Sequence, residues 1–368
     1  MIAAILLACL SAVPAHASWT LEPFMISAWG EPTDDASAAV FADSGLNTVM
    51  AKAENLDLCR KHGLRAIVMD GTPELATKHR DDPAVWGWYV RDEPKAEEFV
   101  VVADPVAKFQ AADPNHPAYV NLMSWMDLDQ YFATVKPLFL SYDFYQWWWG
   151  SANYCGRLQA HRAAALKAKV PLICWIEANS DPRWEWGKPG ATTLPDNPPK
   201  LRQSVTLALA YGVRGIQWFT AGLMIGKDAA GHPALNESGQ QIRAINRDIA
   251  AMGPTLLGLQ STAVYHTKPL PEHTEGVPGN LWVQASGGQL TLGLFEDAHQ
   301  QRHLMLVNRD IARTRAATLT FACALAGVER LDCATKQWAP VPLYKDAKGQ
   351  TALHMKLAPG DGALLRVK

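Results

Sequence analysis

From about residue 22 to residue 256, short apolar runs alternate with amphipathic stretches. The runs at 24–29, 46–50, 64–69, 85–90, 118–122, 138–144, 170–176 and 213–219 read as buried strands. The stretches at 33–44, 55–62, 73–79, 95–112, 127–134, 152–168, 199–211 and 237–252 read as helices. Gly63 and Gly212 each follow a helix and suit the left-handed cap that ends one. Asp113-Pro114-Asn115 closes another. Eight strand–helix units imply a parallel sheet with right-handed crossovers, and eight such strands close into an α/β (β/α)8 TIM barrel. The rival is an open doubly wound sheet. That fold usually carries a glycine-rich loop after its first strand, and Trp29-Gly30-Glu31-Pro32 stands there instead.

Beyond Met252-Gly253-Pro254 the period changes. Runs at 263–266, 281–285, 290–295, 303–308, 317–321, 328–332 and 352–357 read as short strands, with a last one after the Pro359-Gly360-Asp361-Gly362 turn. Gly-Gly, Asp-Gly and Lys-Gly pairs separate them and no helix intervenes, which is the pattern of a small C-terminal β-sandwich. The expected organisation is a signal peptide over 1–17, a barrel over 18–256 and the sandwich over 257–368. A length of 368 residues suits a barrel of roughly 250 residues plus a module of about 100.

The first 17 residues have an apolar stretch too short to span a bilayer, followed by Ala15-His16-Ala17, a small-residue cleavage pattern. The stretch lacks a leading Lys or Arg. Secretion or export to a periplasm is the expectation, with lipid anchoring at Cys9 in Leu6-Leu7-Ala8-Cys9 as the lesser alternative. No other segment is long and apolar enough to cross a membrane. A net charge of −2 gives no sign of a nucleic-acid partner. Cysteines are few. Cys174 reads as a packed thiol, and Cys323 with Cys333 forms the one pair with a case for a disulfide. There is no CxxC pair or Cys/His spacing for zinc, and no GxSxG elbow, Walker loop or HExxH motif. No metal and no cofactor is expected. His161, His232, His266, His273 and His303 are scattered as surface or core groups, and Glu54, Glu97 and Glu98 sit on solvated helix faces.

Two carboxylates stand apart from these. Glu93 ends Gly87-Trp88-Tyr89-Val90-Arg91-Asp92-Glu93-Pro94, and Glu177 ends Leu172-Ile173-Cys174-Trp175-Ile176-Glu177. Each closes a strand, the fourth and the seventh, and those strand ends lie roughly opposite in an eight-strand ring. Two carboxyls across a pocket are the machinery of glycoside hydrolysis. The chain also holds 14 tryptophans, several in loops, and flat rings in loops favour a ligand surface over plain core.

Residues 22–256 resemble the clan A glycoside hydrolases, with the C-terminal module pointing to secreted bacterial enzymes of the β-galactosidase-like and cellulase-like kind. The resemblance rests on the strand count and on Asp92-Glu93-Pro94, where members commonly carry Asn-Glu-Pro. It implies that Glu93 is the acid/base, Glu177 the nucleophile, and a carbohydrate the substrate. Asp92 departs from the pattern, since the usual Asn bonds the sugar and the nucleophile. It either raises the pKa of the acid or pairs with Arg91. A tyrosine near the end of strand six often bonds the nucleophile, and Ser141-Tyr142-Asp143-Phe144-Tyr145 offers Tyr142 and Tyr145. Trp147, Trp148 and Trp149 follow at once, and Trp184 lies in the long loop after strand seven. Trp218 and Phe219 end strand eight, where a sugar platform is common, and Trp29 and Asp70 end strands one and three. The expected substrate-binding set is Trp29, Asp70, Asp92, Tyr142, Tyr145, Trp147, Trp148, Trp184 and Trp218. A non-catalytic carbohydrate-binding protein on the same scaffold and a barrel polysaccharide lyase stay open as alternatives. The sugar, the linkage, exo or endo action and the oligomeric state are not legible.

Overall fold

The computed structural model describes residues 19–179 and 198–368. The proposed signal peptide, Cys9 and Trp184 lie outside the described residues. Eight parallel strands form a closed barrel in chain order: β1 (Met25–Ala28), β2 (Thr48–Ala51), β3 (Arg65–Val68), β4 (Val85–Asp92), β5 (Ala118–Met123), β6 (Leu140–Asp143), β7 (Leu172–Glu177) and β8 (Gly215–Phe219). Closure is explicit in the pairing of β8 with β1, where Ser27 lies beside Gln217 and Ala28 beside Trp218. This excludes the open doubly wound sheet.

The helices are α1 (Asp35–Asp43), α2 (Leu56–Lys61), α3 (Pro73–Lys78), α4 (Phe99–Ala112), α5 (Leu128–Val135), α6 (Gln146–Trp149), α7 (Tyr154–Ala168), α8 (Pro198–Ala210) and α9 (Glu237–Leu257). Their starts follow local chemistry. The carboxylate of Asp34 accepts from the Ser37 amide at 2.7 Å, Thr72 caps α3 ahead of Pro73, and Asn236 accepts from the Gly239 amide. α9 runs one turn past Gly253-Pro254, where the sequence pattern stops it. Phe24 packs so close to Gly253 that a Cβ there would sit 2.6 Å from its Cβ. Pro254 near the helix end removes a single intrahelical bond. Two short strands, β9 (Ile225–Lys227) and β10 (Pro233–Leu235), form a hairpin before α9.

The C-terminal strands are β11 (Gln260–His266), β12 (Val283–Ser286), β13 (Leu290–Glu296), β14 (Arg302–Asn308), β15 (Arg315–Phe321), β16 (Val328–Asp332), β17 (Gln337–Pro340), β18 (Tyr344–Lys345), β19 (Thr351–Leu357) and β20 (Gly362–Val367). They form a six-stranded sheet, β11-β13-β14-β20-β16-β17, and a four-stranded sheet, β12-β15-β19-β18. Leu292, Leu306, Leu319, Leu353 and Leu365 fill the space between them. Cys323 and Cys333 are both free thiols and form no disulfide. They follow β15 and β16, which belong to different sheets.

The sandwich grips the barrel through α8. Gly293 lies so near Ala210 that a Cβ would fall 2.2 Å from its carbonyl oxygen. Thr206 donates to the Gly360 carbonyl at 2.9 Å, and Gln203 donates to that of Arg309 at 2.6 Å. Gln203 also accepts from Gln146, the first residue of α6, at 3.0 Å. The same side chain therefore links the sandwich to the loop at the barrel mouth.

Candidate active site

Strand alternation decides which side chains reach the mouth. On β7, Leu172, Cys174 and Ile176 face the helices, whereas Ile173 and Trp175 fill the barrel interior. Glu177 takes the next inward position at the C-terminal end and is fully buried. Its Oε1 accepts from the backbone N–H of Trp147 at 2.9 Å. That amide lies in the first turn of α6, where no carbonyl of the helix can accept from it. The indole of Trp147 points elsewhere, donating to the Lys200 carbonyl and the Ser204 hydroxyl of α8. Trp147 thus touches Glu177 through its backbone, while its ring locks α6 onto α8.

β4 reaches the same mouth by a different route. Trp86 faces inward, a first register shift between Val85 and Gly87 reverses the parity, and Trp88 then faces outward and Tyr89 inward. Alternation continued from Tyr89 would turn Asp92 away from the interior. A register shift between Tyr89 and Arg91 inserts Val90 and reverses the parity. Arg91 therefore projects outward and pairs with Glu98 at 2.7 Å. Asp92 turns inward and accepts from Asn121 at 3.1 Å. Burial raises the Asp92 pKa, against the opposing effects of Asn121 and Arg91. Of the two expectations for Asp92, the Arg91 pair does not form. Glu93 follows at once, open to the mouth, with its backbone at φ +47° and its N–H donating to the Asn121 carbonyl at 2.9 Å. A non-glycine residue in that left-handed region costs roughly 1–2 kcal/mol.

A third carboxyl joins them. β6 alternates Leu140 and Tyr142 outward with Ser141 and Asp143 inward. Asp143 is 1% exposed, and no side-chain or backbone N–H or O–H among the described residues donates to either of its oxygens. It lies close to the Glu93 carboxyl instead, and the two titrate together. Burial first, then the charges of Glu93 and Asp92, push its pKa up to about 8. Glu93 is raised as well, by loss of water and by Asp92, with the neighbouring Asp143 carboxyl opposing. The pair therefore holds one proton at neutral pH, and the two apparent ionisations belong to both groups together. Beneath it, Ser141 donates to Asn121 at 2.8 Å, Tyr119 to Gln217 at 2.9 Å and Trp175 to Tyr119 at 2.9 Å. These bonds fix the floor on which Asp92 and Asn121 rest.

This arrangement carries a pH prediction. Activity that needs a proton on the Glu93–Asp143 pair falls as pH rises through about 8, where the last shared proton leaves. Asp143→Asn removes the partner anion and places an amide donor beside Glu93, which favours ionised Glu93. The alkaline limb of kcat/KM is then expected at lower pH than in the wild type. An unmoved limb would show that Asp143 does not share the proton.

The remaining residues divide by parity and loop position. Trp29 and Tyr145 meet Phe219 at the mouth, with ring centroids 6.5 and 5.3 Å away, and Trp148 packs on Tyr145 at 5.0 Å. Tyr145 lies within electrostatic reach of Asp92, Glu93, Asp143 and Glu177 together. Tyr142 does not reach the mouth. It is buried between barrel and helices, stacked on His161 at 3.6 Å. Trp218 is also turned outward and donates to Asn246 of α9 at 2.9 Å, so Phe219 is the inward residue of β8. Asp70 is exposed and accepts from the Ala53 amide at 2.8 Å, holding the loop after β2. Trp184 lies outside the described residues. Sequence reasoning missed Asn121, and it named Asp143 and Phe219 at their strand ends without placing either in the expected substrate-binding set. A carboxyl at a strand end, the signal that found Glu93 and Glu177, applies equally to Asp143. A cleft of about 1030 Å³ lies at the opposite end of the barrel, lined by Trp19, Arg65, Lys169 and Arg214, and contains none of these carboxyls.

No protein-family model matches this chain, and no curated protein does. Solved structures do match in fold. A glycoside hydrolase is similar over 94% of this chain and 92% of its own, at 10% identity and a TM-score of 0.56. The barrel with its appended sandwich is an architecture shared with that enzyme. A GH51 arabinofuranosidase from Xanthomonas axonopodis pv. citri covers 90% of this chain and 89% of its own, at 12% identity and a TM-score of 0.48. A GH128 endo-β-1,3-glucanase from Amycolatopsis mediterranei in complex with laminaritriose covers 60% of this chain and 99% of its own, at 15% identity and a TM-score of 0.38. At these last two scores the superposition carries no argument. One fold hosts many chemistries, so function is argued from the site.

Proposed function

We propose that the protein is a secreted clan A glycoside hydrolase that cleaves O-glycosidic bonds of an oligo- or polysaccharide with retention of configuration. The supporting observation is the inward placement of Glu93 and Glu177 at the C-terminal ends of opposed barrel strands, the face where barrel enzymes carry their chemistry. In the first step Glu93 gives its proton to the glycosidic oxygen while the Glu177 carboxylate attacks the anomeric carbon. The bond to the leaving sugar breaks and a glycosyl ester forms on Glu177. In the second step Glu93 takes a proton from water, the water oxygen attacks the same carbon, and the ester bond to Glu177 breaks. The Trp147 amide holds Glu177 through one oxygen, and Asp143 stores the proton beside Glu93. No described helix is long and apolar enough to cross a membrane.

A 2-fluoroglycoside with a good leaving group tests the reading. The expected result is one covalent glycosyl group, mapped to Glu177 by mass spectrometry, with the first product in the substrate's anomeric configuration by NMR. Inverted product with no label would replace double displacement by direct attack of water. Neither hydrolysis nor label, with glycan binding intact, would favour the non-catalytic carbohydrate-binding alternative. An unsaturated product would make the protein a lyase.

A further inference from the structure

Large apolar side chains are seldom left in water at the rim of a cleft without a use. Trp125 and Trp149 are 54% and 44% exposed, and their rings lie 5.9 Å apart at a tilt of 51°. Trp125 stands on the loop after β5, and Trp149 closes α6 after β6. Trp149 also packs against Tyr145 at 4.8 Å and Phe144 at 5.7 Å. An aromatic path therefore leads from Phe219 and Tyr145, beside the carboxyls, out to Trp149 and then to Trp125. The loop bearing Trp149 is held from below, because Trp147 and Gln146 are bonded to α8. The platform is therefore set in place before any ligand arrives.

We propose that Trp125 and Trp149 form an outer subsite that stacks on sugar rings lying beyond the one held between Glu93 and Glu177. The proposal rests on the glycosidase reading and deepens it by naming an extended chain as substrate. Indole faces take the C–H faces of a pyranose, and two rings at an angle embrace successive units of a chain.

The test uses the full chain with Trp125→Ala, Trp149→Ala, the double variant and Trp149→Phe. Kinetics are measured on aryl glycosides and on neutral oligosaccharides of three to six units. Retardation is measured in native gels containing laminarin, xylan, arabinan or galactan, with polygalacturonate as the anionic comparison. In the double variant the ratio of kcat/KM on oligosaccharide to that on aryl glycoside is expected to fall about tenfold, or about 1.4 kcal/mol. Trp149→Phe should recover part of it, and retardation by a neutral gel should weaken. An unchanged ratio, or an equal fall on both substrates, would overturn the proposal. Should the wild type hydrolyse nothing, the glycosidase reading fails separately. The gels still decide on the subsite: retardation lost in the double variant supports it, and equal or absent retardation sinks it.

Discussion

Glu177→Gln is expected to lower kcat on an aryl glycoside by about 10⁴-fold or more while glycan binding survives. The amide is close in shape to the carboxylate, so the loss reports chemistry rather than packing. Glu177 is fully buried and accepts the Trp147 N–H through Oε1. Gln offers an oxygen to that same donor, so the loop need not move. What disappears is the anion that bonds to the anomeric carbon. Glu177→Gly makes a sharper version. It opens a space on the nucleophile's face, and azide can occupy it. In that variant an activated glycoside is expected to yield a glycosyl azide of inverted configuration, because one displacement replaces two. Full activity in Glu177→Gln, or azide of inverted configuration from Glu93→Gly, would place the nucleophile elsewhere.

The barrel was legible because its signal is periodic and repeated. Eight apolar runs and eight amphipathic stretches each agree with the next, and a single misread unit would not change the class. The side-chain parity inside each strand was not legible, for a physical reason. Strands of a closed parallel barrel are covered on both faces, so both parities are apolar and the sequence does not say which points in. Trp218 and Phe219 are adjacent large aromatics on β8, and only the structure turns Trp218 onto Asn246 and Phe219 into the mouth. Tyr142 and Asp143 stand in the same relation on β6. On β4 two extra residues, Trp86 and Val90, each reverse the parity, so Trp88 and Tyr89 between them lie on the faces opposite to those that plain alternation from Val85 gives. Glu93 and Glu177 were found by a cue independent of parity, a carboxyl at the end of a strand. Trp125 had no cue, because a loop tryptophan belongs to no period. β17 and β18 were also missed, being short edge strands with little apolar patterning.

Glu93 carries the second large effect, and its backbone separates two contributions that substitutions usually confound. Glu93→Ala is expected to cost about 10²–10⁴-fold in kcat/KM where the leaving group is a sugar or an alkyl alcohol, since these depart only with a proton. With a dinitrophenyl leaving group the first step should be nearly normal, and the slow step becomes hydrolysis of the ester on Glu177. Equal losses on both kinds of substrate would remove Glu93 from the acid role. Stability should move the other way. Glu93 holds φ at +47°, a region that Asn tolerates better than Glu or Gln. Glu93→Asn is expected to unfold with a free energy about 1 kcal/mol above that of Glu93→Gln, measured by denaturant titration. Both variants also remove a carboxyl whose pKa is raised in the fold by burial and by Asp92. A raised carboxyl opposes folding once pH exceeds its unfolded pKa, because the unfolded chain ionises it more easily. The gain shared by Asn and Gln over the wild type should therefore appear near neutral pH and fade as pH falls below the ordinary carboxylate range. The gain of Asn over Gln is a backbone effect and should persist at every pH. A site that stores strain and repulsion in one residue predicts this split. Equal stability of Asn and Gln at every pH, with both still gaining over the wild type near neutrality, would show that charge alone, and not backbone geometry, is what the wild-type residue sustains.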